Sequence, residues 1–129
     1  MIGVTKINGR PVIGINSGAP GYRDSDSLDA VRGRDDTLRL FPEVKTAGNL
    51  GQTPNNAFFH AEATVLFRAA RENGGMLEDM DLEVTMSRPM CFSCKTVLPY
   101  LGLRLGNPRV TFVDPSGIRR TMHNGAWQK

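Results

Sequence analysis

The sequence predicts a single α/β domain, read as a three-layer α/β/α unit around a mixed five-stranded sheet with its last two strands antiparallel. Three observations carry that prediction. Asn8-Gly9 separates two short apolar runs near the N-terminus. Asn-Gly is the strongest short hairpin signal, because both turn residues need positive φ. Downstream, the pattern alternates helix, strand, helix, strand, strand. Only Asp114-Pro115-Ser116-Gly117 joins the last two strand runs. A parallel pair needs a crossover of about a dozen residues or more, so these two strands are antiparallel if they are neighbours.

The elements follow in order. Val4–Ile7 and Arg10–Ile15 form the hairpin, with Pro11 at a strand start or edge, where no ladder donor is needed. Residues 17–26 read as loop through Ser-Gly-Ala-Pro-Gly. Leu28, Val31, Leu38 and Leu40 suggest a short helix over Leu28–Leu40, capped by Ser25 or Ser27 and weakened by Gly33. Glu43–Pro54 reads as loop. Asn56–Arg71 is predicted helical: Asn55 or Asn56 can cap it, and Ala63, Leu66, Phe67 and Ala70 make its buried stripe. Asn73-Gly74-Gly75 ends it. Leu82–Met86 alternates as a strand. Cys91–Leu101 is a second helix, with Pro99 late enough to kink or shorten the last turn. Arg109–Asp114 and Ile118–His123 are the closing strands.

The chain has 129 residues, 40% hydrophobic and 22% charged, which fits one domain with one modest core. No apolar run approaches the roughly 18 residues of a membrane span. The N-terminus lacks a charged-then-apolar signal pattern, so export is expected only as part of a larger protein. Charge is uneven. Val84–Lys129 holds seven basic residues against one acid, Asp114, whereas Met1–Glu83 holds nine against twelve. The second half favours a polyanion such as nucleic acid over a free nucleoside, and its arginines suit phosphate. A generic basic surface gives the same numbers.

The chemistry-bearing residues are His60-Ala61-Glu62 and Cys91-Phe92-Ser93-Cys94. A cysteine pair three apart closes almost no loop and is a poor staple. A redox couple would leave His60 and Glu62 unexplained. One zinc ion held by His60, Cys91 and Cys94 explains all four. Zinc takes thiolates and neutral imidazole, and a catalytic site keeps its fourth position open for water, whose pKa the metal lowers. Glu62, beside the metal but not bound to it, is then placed to move protons. A purely structural zinc site would need a fourth protein ligand, and His123 is the only other histidine.

Residues 56–63, Asn-Ala-Phe-Phe-His-Ala-Glu-Ala, and residues 87–94, Ser-Arg-Pro-Met-Cys-Phe-Ser-Cys, resemble the zinc motifs of the cytidine deaminase superfamily. The closest resemblance is to the DNA cytosine deaminase domains of bacterial polymorphic toxins, including those acting on single-stranded DNA. It covers roughly residues 49–121. Met90 separates Pro89 from Cys91, where most members have Pro directly before Cys. The resemblance implies a cytidine deaminase-like fold. The implied activity converts cytosine to uracil in DNA, single-stranded DNA favoured, with one zinc ion and Glu62 as the proton carrier. It also implies a toxin tip of a larger secreted effector, acting in the recipient-cell cytoplasm and blocked by a cognate immunity protein. The antiparallel last pair sets the chain apart from the tRNA-adenosine and vertebrate editing branches.

Implied substrate contacts are Asn56, Phe59, Ser87 and Arg88. Asn56 serves equally well as a helix cap, and Phe58 and Phe59 suit the core as well as a base pocket. Trp127 fits either stacking on an unpaired base or packing on the body. The alternatives are a free cytidine or nucleotide deaminase, an RNA cytosine deaminase, and, from another class, a non-catalytic zinc-stabilised nucleic-acid-binding module.

Overall fold

The computed structural model describes residues 1–45 and 57–128. Strands β1 (Ile2–Ile7) and β2 (Arg10–Ile15) form the N-terminal hairpin, and Asn8 and Gly9 both take positive φ, as the turn requires. Helix α1 spans Asp24–Leu40, and Pro42–Lys45 make one 3₁₀ turn. Helix α2 (Ala61–Glu72), strand β3 (Asp81–Met86), helix α3 (Phe92–Arg104) and strands β4 (Arg109–Val113), β5 (Arg119–His123) and β6 (Ala126–Trp127) follow.

The strands form one mixed sheet in the order β2-β1-β3-β4-β5-β6. Only β3 and β4 run parallel, with Leu82 opposite Val110 and Val84 opposite Phe112. The pair β4–β5 is antiparallel, as the four-residue link requires. The sheet has six strands rather than five. The sixth is the two-residue β6, too short to show a period in the sequence.

Layering differs from the three-layer expectation. Alternate strand residues Thr5, Ile7, Val12, Leu82, Val84, Met86, Val110, Phe112 and Met122 are buried on one face of the sheet. The opposite face carries Lys6, Ile13, Asp81, Glu83, Thr85, Arg109 and Arg119, all exposed. Helices α2 and α3 pack on the buried face and touch each other, and α1 packs against both of them. Among the described residues, no helix covers the other face.

Helix α1 is longer than its apolar pattern suggests, and neither Ser25 nor Ser27 caps it. Arg23 is the cap residue, and its N–H donates to the Asp26 carboxylate at 2.8 Å. Gly33, an apparent weak point, is where α1 meets α2. A Cβ there would lie 2.5 Å from Cζ of Phe67, so only glycine permits this approach.

Pro99 does not end α3, which runs on to Arg104. Proline lacks the N–H that would bond the carbonyl four residues back, at Lys95. That carbonyl instead accepts the indole N–H of Trp127 at 2.6 Å. Trp127 also stands edge-on to Phe112, with centroids 6.1 Å apart. It packs on the body and is not a free stacking platform.

Candidate metal centre

The three expected ligands meet at the N-terminal ends of two helices. His60 is the cap residue of α2 and Cys91 that of α3, both with extended backbone. Cys94 lies in the first turn of α3 and is fully buried. Helix α2 therefore begins later than expected. Asn55 and Asn56, the anticipated caps, lie outside the described residues.

The His60 Nδ1 atom is 3.3 Å from Cys94 Sγ and 3.5 Å from Cys91 Sγ. One donor atom from each of the three residues lies within 4.8 Å of the other two. A tetrahedral zinc with ordinary bond lengths separates its ligand atoms by roughly 3.5–3.8 Å. The donor set and its spacing thus fit one metal ion. No fourth His, Cys, Asp or Glu joins the group among the described residues. His123 sits on β5, paired with Ala126, on the strand face opposite the buried Met122.

Charge in the metal-free cluster is unevenly shared. The Cys91 thiol is pulled down to about 3, first by a hydrogen bond from Cys94 and further by His60 and Ser93. Cys94 is pushed up by the Cys91 sulfur and by its burial. The His60 imidazole is raised by its hydrogen bond to Cys91. The direction at Cys91 is the one a helix N-terminus favours for a thiol.

Glu62 is the most informative side chain. It is fully buried in the first turn of α2, and neither carboxylate oxygen makes a hydrogen bond of good geometry, although the Cys94 thiol lies near enough to oppose part of the effect of burial. It is the only carboxylate so placed among the described residues. Desolvation raises its pKa, so it holds a proton more readily than an exposed glutamate. A buried carboxyl of this kind is costly in a finished core and marks a candidate acid or base.

The other named residues are more dispersed. Phe58 is fully buried core, whereas Phe59 is half-buried beside His60 and packs on that core. Ser87 ties the end of β3 to β1: its Oγ accepts from the Ile2 N–H at 2.7 Å, and its own N–H donates to the Ile2 carbonyl. Arg88 is exposed and makes no ion pair among the described residues. Met90 is half-buried against the core between Pro89 and the Cys91 cap.

Two neighbours of the site escaped the sequence reading. Phe92, directly after a ligand cysteine, keeps 64% of its surface exposed. Asn16, at the end of β2, bonds the first residue of α2. An exposed aromatic at a helix start has no periodic signature. A contact across 45 residues has no local one. No family model and no curated protein matches the chain.

Proposed function

We propose that the chain is a zinc-dependent cytosine deaminase acting on DNA, single-stranded DNA above all. The observation that carries this reading is Glu62: fully buried, without a hydrogen bond of good geometry, beside the Cys94 thiol and two residues from His60, in a group of three possible ligands that no fourth joins among the described residues. A closed structural site would need that fourth ligand and would have no use for the carboxyl. The β2-β1-β3-β4-β5 order with an antiparallel β4–β5 pair supports a cytidine deaminase-like fold.

When bound, zinc supplies Lewis acidity and lowers the pKa of water at its open position. His60, Cys91 and Cys94 hold the ion. Glu62 would take one proton from the attacking water and pass it to cytosine N3, then carry the second proton, from the new C4 hydroxyl, to the departing 4-amino nitrogen. The sum is cytosine plus water giving uracil plus ammonia. Burial around Glu62 excludes bulk water from the transfer. An unstacked base reaches the site at least cost, which favours a single strand. By the same resemblance the domain is an interbacterial toxin tip, delivered within a larger effector to a recipient's cytoplasm and held in check by an immunity protein.

The test is uracil formation in matched single-stranded DNA, duplex DNA and RNA oligonucleotides, beside free cytidine. Wild type should act on single-stranded DNA, and Glu62→Ala should lose at least about a hundred-fold of that activity while still binding zinc. Turnover of free cytidine alone would replace this reading with a nucleoside enzyme. Zinc binding with no turnover on any substrate would replace it with a binding module.

A further inference from the structure

We infer that Asn16 is a positioning residue for the metal centre, holding the backbone turn that aims the His60 imidazole at the two cysteines. The inference rests on the metal-binding reading above. A cap residue ordinarily accepts a first-turn N–H with its own side chain. His60 makes no such bond, because its ring faces Cys91 and Cys94. The orphaned donor of Ala61 is instead taken from outside the helix: its N–H donates to Asn16 Oδ1 at 2.8 Å. One residue on, the Ser17 N–H donates to the Phe59 carbonyl at 2.9 Å. The end of β2 thus grips the chain on both sides of His60.

Gly14 makes this reach possible. Val12 and Gly14 face inward on β2, and Asn16 follows directly after the strand's last residue, Ile15. A Cβ at Gly14 would lie 2.4 Å from both the Ala61 carbonyl oxygen and the Val65 nitrogen. Those are backbone atoms of α2, so β2 lies directly against its first turn. Ala61 is fully buried, so its N–H has no water to turn to if the Asn16 amide is removed. The peptide joining His60 to Ala61 is then held at its carbonyl alone, which accepts from the Thr64 N–H and hydroxyl, so its tilt and the aim of the imidazole are less closely fixed. Groups that orient metal ligands in this way typically change metal affinity by about 10–100-fold when removed.

The experiment measures zinc affinity of the full chain by competition with a chromogenic chelator, and the cobalt(II) spectrum of the same proteins. Asn16→Ala should weaken zinc binding at least about ten-fold and alter the cobalt–thiolate bands. Asn16→Asp should restore both, since a carboxylate accepts the same bond and suits a helix N-terminus. Thr111→Val, which removes the Thr111–Thr121 side-chain bond within the sheet, should lower thermal stability without moving zinc affinity. Should Asn16→Ala fail to fold, Asn16→Ser, whose hydroxyl is too short for the span, is read the same way. Unchanged affinity and spectrum in Asn16→Ala would overturn the inference while leaving the metal site standing. A wild type that binds no zinc would overturn the metal site itself.

Discussion

Glu62 sets the terms at the residue scale. A fully buried carboxyl with no hydrogen bond of good geometry costs stability. Glu62→Gln should melt at the same temperature as wild type or higher in a metal-free calorimetric scan; under the proposed function it should also lose deamination. A lower melting temperature would mean that the carboxyl holds the core together. Gly14 gives the opposite case. Gly14→Ala drives a methyl into the backbone of α2 and should cost about 3 kcal/mol or more, read from chemical denaturation. The grouping of His60, Cys91 and Cys94 was expected from the residue types and the Cys-x-x-Cys spacing, and the fold brings the histidine to the cysteine pair across more than 30 residues. Asn16 was not legible, because nothing near it in the chain marks its partner.

Two contacts organise the elements. Arg68 on α2 donates from Nε to Asp26 at 2.9 Å and also bonds the carbonyls of Ile13 and Gly21, joining β2, the following loop and α1. Asp26 is held below the usual aspartate range, first by Arg68's hydrogen bonds and against the cost of burial. A depressed folded value contributes stability that is present above the unfolded value and lost as pH falls through the folded one. Thermal stability should therefore drop below about pH 4, and Asp26→Asn should flatten that limb. The flattening is partial, because Arg104 holds Asp36 down in the same way. The second contact pairs Pro99 with Trp127 through the Lys95 carbonyl. Trp127→Phe should cost about 1–3 kcal/mol by leaving that carbonyl unpaired. In a Pro99→Ala background the cost should shrink, because an alanine at that position offers its own N–H, and a double-mutant cycle measures the difference. Sequence reasoning saw the proline as a kink or an early stop and the tryptophan as a tail residue; only the fold makes them partners.

Over the whole molecule, charge is less polarised than the chain order suggests. Arg104 pairs with Asp36 at 2.8 Å and Arg119 with Glu83 at 2.7 Å, so acids of the first half neutralise bases of the second. In the second half, Arg88, Lys95, Arg109 and Arg120 make no ion pair among the described residues and are candidates for phosphate contact. If about three of them contact a single strand, affinity should fall roughly ten- to twenty-fold between about 50 and 200 mM salt. Binding measured by fluorescence anisotropy across that range checks this, and a flat profile would remove the polyanion argument.

The sequence by itself determined what is local: the Asn8-Gly9 hairpin, the antiparallel closing pair, and the spacing of His60 to Glu62 and of Cys91 to Cys94. Turn chemistry, link length and ligand spacing act over a few residues and leave their mark there. The tertiary structure alone decided that all three described helices lie on one side of the sheet and that β6 adds a sixth strand. It also decided that α2 starts at Ala61 beside Asn16, and which arginines form ion pairs among the described residues. Those outcomes depend on which distant surfaces meet, and burial and hydrogen bonding across tens of residues select that pairing.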